Sequence, residues 1–296
     1  MEICEAEKIL EGTQYEPFIG AMQRVTLKDY VYDDLFKMGN ENSGYFAVKI
    51  RKKDTKNFVD SIDCLKIAND IEGLVNLNNG IIENEGYLLT VSEWLNGKQP
   101  IDDNRDKLPL FFSKLATFNK NNICGGPYTS MYLDSKYFNS ADELVDWEIN
   151  YHKKFFFEKM DEKKITAILK NLKHGITCII NEDMNCGNLF ITDDKKYKII
   201  DTEWIIRGIN LYQFQHINYF GFDEKNWYNI TDEAKECYEA YFGTLGINRT
   251  KANEQIKAME LLNVLRINTF LKYGKKDNDK EIMKRIETVM DKERYI

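Results

Sequence analysis

The chain has 296 residues, of which 43% are hydrophobic and 30% charged, and its formal net charge is −7. This composition is typical of a folded globular protein and excludes general disorder. The acidic balance makes nucleic acid a poor partner, because binding to phosphates needs a basic surface. The length suits about two domains, or one bilobal unit with a cleft between its halves.

The cysteines and the first residues bear on the compartment. The six cysteines show no CxxC spacing, so neither a zinc ribbon nor a thioredoxin-type motif is expected. In a chain of this length they are typical of reduced thiols, and we expect a cytoplasmic protein. The charged first residues argue against a secretory signal. No apolar stretch is long enough to span a membrane, so no membrane partner is expected.

The first third of the chain is predicted to consist mainly of strands and turns. Runs of β-branched and aromatic residues indicate strands, and clusters of Gly and Asn indicate the turns between them. Apolar residues at steps of three and four indicate a helix. The predicted elements are a hairpin of 30–36 and 45–50 around a turn at 39–44, a helix over 57–78, and short strands at 81–82 and 87–92.

Beyond residue 97 the pattern becomes mostly helical. Helices are predicted over 109–118, 144–155, 232–241 and 251–273. Only one β episode is expected in this half, a hairpin of 189–192 and 197–200. Strands followed by helices indicate an α+β fold rather than an alternating one. The join near 93–100 would then place a cleft between two lobes, which is a common location for ligand sites.

The strongest candidate for chemistry is the polar loop 181–188, which lies between two apolar stretches. Asp183 and Asn188 lie in this loop, and the hairpin that follows ends on Asp201. Holding the Mg²⁺ of ATP takes a few carboxylate or amide oxygens, which Asn188 and Asp201 would supply. Phosphoryl transfer also needs a carboxylate that faces the acceptor hydroxyl, and Asp183 suits that role. The alternative is a surface turn in which these side chains only make local hydrogen bonds.

This segment resembles the catalytic segment of the aminoglycoside phosphotransferase and choline kinase families, which have a protein-kinase-like fold. Their usual pattern is His-Gly-Asp-x4-Asn, followed by a hairpin and Ile-Asp. Here it reads Asn-Glu-Asp-x4-Asn over 181–188, with Ile-Asp at 200–201. The resemblance implies that Asp183 is the catalytic carboxylate and that Asn188 and Asp201 bind the metal.

A segment of the predicted hairpin matches the same families. Phe-Ala-Val-Lys, which ends at Lys49, resembles the strand whose lysine holds the α- and β-phosphates. The alternative is an edge-strand lysine that faces solvent. The resemblance places the acidic partner of this lysine at Asp70, with Glu72 as the neighbouring alternative.

The strand over 87–92 and the Glu-Trp-Leu-Asn-Gly after it resemble the hinge that joins the two lobes. The resemblance implies that the backbone of Glu93, Trp94 and Leu95 binds adenine. The alternative is a buried strand followed by an ordinary turn, which would have nearly the same sequence.

Three positions that usually support the site in these families differ here. Asn181 and Asn119 stand where histidines are usual, and Gln213 stands where an aspartate is usual. The phosphate-covering loop is also poorly marked, because no glycine occurs between Gly20 and Gly39. These departures leave open a second function, a kinase-fold protein that binds nucleotide or ligand without phosphoryl transfer.

The acceptor is weakly indicated. The resemblance places 125–170 on the acceptor side, where acidic residues at 142–148 would suit a cationic aminoglycoside. Trp147, Tyr151 and Trp204 would instead suit a quaternary ammonium group. The alternatives are charges in the first turn of a helix and aromatic core packing. A sugar or another small alcohol remains open.

Together these observations predict a bilobal α+β fold of the protein-kinase-like type. A nucleotide-binding lobe is expected over 1–95, and a catalytic and acceptor-binding lobe over 96–296. The expected activity is ATP- and Mg²⁺-dependent transfer of the γ-phosphate to a hydroxyl of an aminoglycoside, a choline-like amino alcohol or a sugar. The choice between ATP and GTP, the acceptor and the oligomeric state do not follow from the sequence.

Overall fold

The computed structural model describes residues 3–25, 34–42, 44–52, 63–64, 66–68, 74, 80–83, 86–98, 107–130, 136–156, 160–185, 188–194, 196–202, 204–214, 232–273 and 279–296. The predicted acidic partners Asp70 and Glu72 lie outside these residues, as does most of the helix predicted over 57–78.

After an N-terminal helix that the sequence does not predict, the described elements follow the predicted order, with most strands in the first third and most helices later. The strands are β1 (Gln23–Arg24), β2 (Asp34–Asn40), β3 (Gly44–Lys52), β4 (Gly80–Glu83), β5 (Tyr87–Glu93), β6 (Gly97–Lys98), β7 (Thr177–Asn181), β8 (Leu189–Thr192), β9 (Tyr197–Ile199) and β10 (Ile205–Ile209). The α-helices are α1 (Ile3–Leu10), α2 (Leu108–Asn121), α3 (Ala141–Phe156), α4 (Glu162–Leu169), α5 (Asp232–Leu245), α6 (Arg249–Tyr273) and α7 (Asp279–Asp291). Short 3-10 helices cover Glu16–Ala21, Lys170–His174 and Asn210–Phe214.

The first lobe is built on an antiparallel sheet with the strand order β1-β2-β3-β5-β4. The predicted hairpin is present, but its turn is shorter than predicted, because Asn40 still pairs with Gly44. Gly39 explains the difference, since its φ is 109° and a Cβ there would lie 2.1 Å from the Gly44 oxygen. Only glycine lets the two strands approach this closely.

One face of this sheet is covered by α1 and the 3-10 helix Glu16–Ala21, neither of which the sequence predicted. Ala6 and Leu10 lie four residues apart on α1 and are both fully buried, as expected for one face of a helix. Alternate residues of β3, Val48 and Ile50, are buried in the same apolar cluster. A short helix carries only two such positions, which is too few for its period to stand out.

A larger apolar cluster fills the second lobe, where α2 packs against α5. Leu74 belongs to this cluster, and its carbonyl oxygen accepts from the Ile199 N–H at 2.7 Å. A residue from the first 95 therefore packs on the β8–β9 hairpin. The division of the chain after residue 95 remains a prediction.

The expectation of a single β episode in the second half was wrong. Strands β7 and β10 form a second antiparallel pair, with Asn181 opposite Ile205. Every residue of β7 after Thr177 is buried, so the strand lacks the alternation that marks a half-exposed strand. None of the described helices has both the length and the apolar character needed to cross a membrane.

The chain leaves β5 through a short segment in which β6 pairs with β8. A Cβ on Gly97 would lie 2.1 Å from the Ile191 oxygen, and the φ of Gly97 is 157°. We expect Gly97→Ala to lower the free energy of unfolding by about 1–3 kcal/mol in urea denaturation, because the added methyl overpacks this contact. The control is Gly86→Ala, since a Cβ there meets nothing within 4 Å. Equal losses in the two variants would contradict the prediction.

Candidate active site

The loop between β7 and β8, called the catalytic loop below after its predicted role, places Asp183 and Asn188 side by side. It is anchored by Ile180 and Leu189, which are fully buried. Asn188 Nδ2 donates to Asp183 Oδ2 at 2.9 Å and to the Asp183 main-chain oxygen at 2.8 Å. Asn185 Nδ2 donates to Asp183 Oδ1 at 3.1 Å. Two amides therefore hold the carboxylate in one orientation, as the positioning of a catalytic group requires.

The surroundings of Asp183 oppose its ionisation. Burial, followed by the nearby carboxylate of Asp201, raises the pKa of Asp183 above its usual 3.8. Hydrogen bonds from Asn185 and Asn188 and the charge of Lys49 act in the opposite direction. The charges of Asp201 and Lys49 both shift the pKa of Asp183, so the three groups lie within electrostatic reach of one another. A raised pKa also makes an ionised carboxylate a better proton acceptor.

Lys49 connects the first lobe to this loop. It lies on β3, between β2 and β5, so it does not belong to an edge strand. Its Nζ lies 3.2 Å from Asp201 Oδ1, and the two side chains are 20% and 18% exposed. The pair therefore joins residues that are 152 positions apart while keeping some access to solvent.

The backbone at Asp201 is held in an unusual conformation. Its φ is 57°, in the left-handed region that Asp and Asn tolerate better than most residues do. Asn181 Nδ2 donates to the Asp201 carbonyl oxygen at 3.2 Å, and Asn181 Oδ1 accepts from the Asp183 N–H at 3.0 Å. The asparagine that replaces the usual histidine therefore ties Asp183 and Asp201 together.

The donor set suits a magnesium ion carried by nucleotide phosphates. Asn188 uses its Nδ2 for Asp183, which leaves its amide oxygen to another partner. Asp201 uses Oδ1 for Lys49. Mg²⁺ commonly takes one or two protein carboxylates and completes its shell with phosphates and water. Within the described ranges, no group of three or more His, Cys, Asp or Glu side chains could hold a metal ion.

The structure narrows the choice of adenine-binding backbone groups. The Trp94 N–H donates to the Tyr45 oxygen at 2.9 Å, so it is engaged in extending the sheet. Main-chain groups of successive residues in an antiparallel strand point in opposite directions. The groups of Glu93 therefore point away from β3. The backbone of Glu93 and Leu95 remains the better candidate for adenine, and this role stays a prediction.

The other two departures from the family pattern contact each other. Asn119 Oδ1 accepts from Gln213 Nε2 at 2.8 Å and from the Tyr241 hydroxyl at 2.7 Å. Asn119 Nδ2 donates to the Ile179 oxygen at 3.0 Å. Both amide residues are fully buried. The network joins α2 and α5 to β7, the strand that leads into the catalytic loop, and it does so without a titratable histidine.

Truncating this network should destabilise the protein. In Asn119→Ala, the Gln213 amide and the Tyr241 hydroxyl lose an acceptor, and the Ile179 carbonyl loses a donor. Each buried group left unsatisfied costs about 1–3 kcal/mol, so we expect the free energy of unfolding in urea to fall by about 3 kcal/mol.

The matched control is Asn122→Ala at the end of the same helix. Asn122 is also buried, and its Nδ2 donates to the Phe118 oxygen at 2.8 Å, so a loss of about 1 kcal/mol is expected. A loss for Asn119→Ala no larger than this would mean that the network contributes little.

The acidic residues predicted on the acceptor side are engaged within the protein. Glu148 is 1% exposed and belongs to a buried ion cluster. Asp146 pairs with Lys173 at 2.8 Å. Glu143 accepts from the Asn139 N–H at 3.0 Å at the start of α3. These contacts favour the alternative interpretation, in which the charges support the helix and its packing.

The three candidate aromatic rings do not share one environment. Trp147 and Tyr151 stack with their centroids 4.9 Å apart. Lys136 Nζ lies 4.5 Å from the centroid of the Trp147 ring, so the chain's own cation covers a face of that ring. Trp204 lies beside the catalytic loop, where its oxygen accepts from the Glu182 N–H at 3.0 Å.

The sequence alone does not indicate Arg266 and Ser130, which both contact Glu182 in the catalytic loop. The visible signal was Glu182 itself, a carboxylate where the family pattern has glycine. Its partner Arg266 is 84 residues away, and no spacing rule connects the two positions.

Comparisons with known proteins identify the fold. No model of a protein family matches the sequence, and no curated protein matches it. A thermostable variant of aminoglycoside phosphotransferase APH(4)-Ia, solved with ADP and hygromycin B, gives a TM-score of 0.60 at 14% identity, covering 97% of this chain and 98% of that chain. An ethanolamine kinase from Plasmodium vivax gives 0.57 at 12% identity, covering 97% and 86%. A candidate fructosamine-3-kinase from Haemophilus somnus 129PT gives 0.56 at 15% identity, covering 90% of each chain.

These similarities extend over nearly the whole chain, and they agree with the antiparallel sheet, the helical second lobe and the order of the elements. The predicted α+β architecture is confirmed. This chain has the bilobal protein-kinase-like fold in the form that the aminoglycoside phosphotransferases and ethanolamine kinase share.

Proposed function

We propose that this protein is a small-molecule kinase that transfers the γ-phosphate of ATP to a hydroxyl group. One observation carries the proposal: Lys49 from the first lobe meets Asp201, within electrostatic reach of Asp183, which is bonded to Asn188. A lysine, two metal-binding oxygens and a separate carboxylate are the groups that in-line phosphoryl transfer requires.

In this proposal, Lys49 would orient the nucleotide phosphates, and Asn188 and Asp201 would hold Mg²⁺. When bound, the metal neutralises the charge that develops on the phosphates. Asp183 orients the acceptor hydroxyl and takes its proton as the bond to phosphorus forms. Its fixed orientation between two amides supports this role.

Nucleotide binding in the first lobe belongs to the same proposal. Adenine would bind the backbone near Glu93 and Leu95, and Asp70, or alternatively Glu72, is the proposed acidic partner of Lys49. The similar APH(4)-Ia structure contains ADP, which supports a nucleotide in this fold. ATP is the first choice, and GTP is the alternative.

For the acceptor we propose a small alcohol, and a cationic one fits the net charge of −7. One of the similar solved structures is bound to hygromycin B, and another is named an ethanolamine kinase. Hygromycin B and ethanolamine are both amines that carry hydroxyl groups. We place the enzyme in the cytoplasm, in keeping with the five cysteines of the described residues, which are free thiols.

A second candidate function is a protein that binds nucleotide without transferring phosphate. It is favoured by Asn181, Asn119 and Gln213, which replace titratable residues of the family pattern with neutral amides. Against it stands their hydrogen bonding, since the substituted residues still connect the catalytic loop to its surroundings.

One experiment separates the two functions. Thermal unfolding is followed with Mg²⁺·ATP, with Mg²⁺·GTP and with nucleotide in EDTA, and phosphate transfer is then assayed with aminoglycosides, amino alcohols and sugars. A nucleotide at about 100 times its Kd should stabilise the fold by about 2.7 kcal/mol. A metal-dependent shift with transfer to one acceptor class supports the kinase. A shift without transfer to any acceptor favours the binding protein, and no shift contradicts both.

A further inference from the structure

A buried ion cluster lies directly behind the catalytic loop. Its members are Glu148, Glu182 and Arg266, with Ser130 and His152 at its edges; we refer to it as the Arg266 cluster. Each of the five residues is at most 4% exposed. They come from α3, α6, the catalytic loop and the segment before α3, so the cluster joins parts of the second lobe that are distant in sequence.

The guanidinium of Arg266 is the centre of this cluster. Its Nη1 donates to Glu182 Oε1 at 3.2 Å, and its Nη2 donates to Ser130 Oγ at 3.2 Å and to Glu148. The Ser130 hydroxyl donates to Glu182 Oε1 at 2.6 Å. On the far side, His152 Nε2 lies 3.2 Å from Glu148 Oε2.

The packing gives this guanidinium little freedom. Its Cζ lies 4.6 Å from the centroid of the Tyr212 ring, and Tyr212 is fully buried. A planar guanidinium with fixed donor directions can serve two carboxylates at once, which the ammonium group of a lysine does less well. The position of Arg266 therefore determines where the carboxylate of Glu182 can lie.

Glu182 transmits that position to Asp183, the next residue. Its side chain is held by Arg266 and Ser130, and its N–H donates to the Trp204 oxygen at 3.0 Å. Both the side chain and the main chain of Glu182 are thus held. A buried charge that loses its partner moves towards solvent or draws water in, and a shift of Glu182 would displace Asp183 with it.

We infer that Arg266 is a positioning residue, which acts through Glu182 to hold Asp183 in its productive orientation and links α3 and α6 to the catalytic loop. The geometry of the cluster stands by itself, whereas its effect on turnover rests on the proposed kinase function. The glycine of the family pattern could not make this connection, because it has no side chain.

The test compares Arg266→Gln and Glu182→Gln with a matched control, Glu260→Gln. Glu260 also lies on α6, is 1% exposed and accepts from the Tyr238 hydroxyl at 3.1 Å. The Glu260→Gln variant therefore removes a buried carboxylate from the same helix, at a residue whose hydrogen bond goes to Tyr238 on α5. Each variant is measured for turnover of Mg²⁺·ATP with water as the acceptor, and for amide hydrogen exchange by mass spectrometry.

If Arg266 positions the loop, both test variants lose about tenfold to a hundredfold in kcat, and KM for ATP changes by less than about twofold, since uniform binding is untouched. Amide exchange accelerates in peptides that cover 182–188 more than in α5. Glu260→Gln keeps the wild-type kcat. The double variant is no worse than the worse single one, because the two residues act as a unit. The kcat of Arg266→Lys, which keeps the charge but loses the planar guanidinium, falls between those of wild type and Arg266→Gln.

Two results would overturn the inference. The first is that both test variants have the same kcat as Glu260→Gln. The second is that amide hydrogen exchange in the test variants accelerates evenly over the second lobe. If Arg266→Gln does not fold, Glu182→Gln decides, because it keeps the side-chain volume and an acceptor for Ser130. If the wild type neither binds nor turns over Mg²⁺·ATP, the kinase proposal fails, and hydrogen exchange alone decides whether Arg266 holds the loop.

Discussion

Replacing Asp183 by Asn should lower the rate of phosphate transfer by about 10²–10⁴-fold, the usual contribution of a positioned general base. The amide cannot accept the proton of the acceptor hydroxyl. It also presents an NH₂ group where Asn185 and Asn188 both donate, so one of these contacts becomes a clash of donors. Binding of Mg²⁺·ATP should persist, because the lysine and the metal ligands are unchanged.

The measurement is the initial rate of ADP release with the acceptor that wild type uses best. The control is Asp193→Asn, which removes the same charge from an exposed aspartate in the turn between β8 and β9. We expect it to keep wild-type turnover. Unchanged turnover in Asp183→Asn would mean that another group receives the proton, and the assigned mechanism would be wrong.

Replacing Asp201 by Asn should abolish the part of the nucleotide-induced thermal shift that depends on Mg²⁺. The variant loses a carboxylate of the proposed metal site together with its ion pair to Lys49. Asn is the informative substitution because Asp201 has a φ of 57°, and Asn tolerates this conformation at least as well as Asp does. Asp201→Ala would add backbone strain of about 1–2 kcal/mol, which would confuse loss of binding with loss of stability.

The shift in Tm is recorded with and without EDTA for wild type and Asp201→Asn. The comparison variant is Asp194→Asn, an aspartate in the β8–β9 turn that pairs with Lys196 on the surface. It should retain the metal-dependent shift, while Asp201→Asn loses it. An equal metal-dependent shift in both variants would place the metal elsewhere.

Local sequence patterns predicted the elements whose period is pronounced. Strand β3 and helices α2 and α3 agree with the prediction, since each contains several repeats of its own apolar spacing. Helix α1 and strand β7 were missed for the opposite reason. The first spans only eight residues, and the second is buried almost throughout and shows no alternation.

The candidate site divides in a similar way. The sequence alone indicated the candidate residues Lys49, Asp183, Asn188 and Asp201. The last three are close together in the chain, in one loop and the hairpin that follows it. Their catalytic roles remain predictions. The contact between Lys49 and Asp201 spans 152 residues, and the sequence did not predict it, since the resemblance proposed Asp70 or Glu72 as the acidic partner of this lysine.

The sequence by itself determined the chemical groups of this protein and their order along the chain, because a short segment is enough to identify a polar loop and the apolar residues on either side of it. Only the tertiary structure decided which of these groups meet. It joined Asn119 to Gln213 and Glu182 to Arg266, and it turned the acidic residues of α3 towards partners within the protein. Such pairings depend on how helices pack across the core, and that packing is a property of the whole chain rather than of any segment.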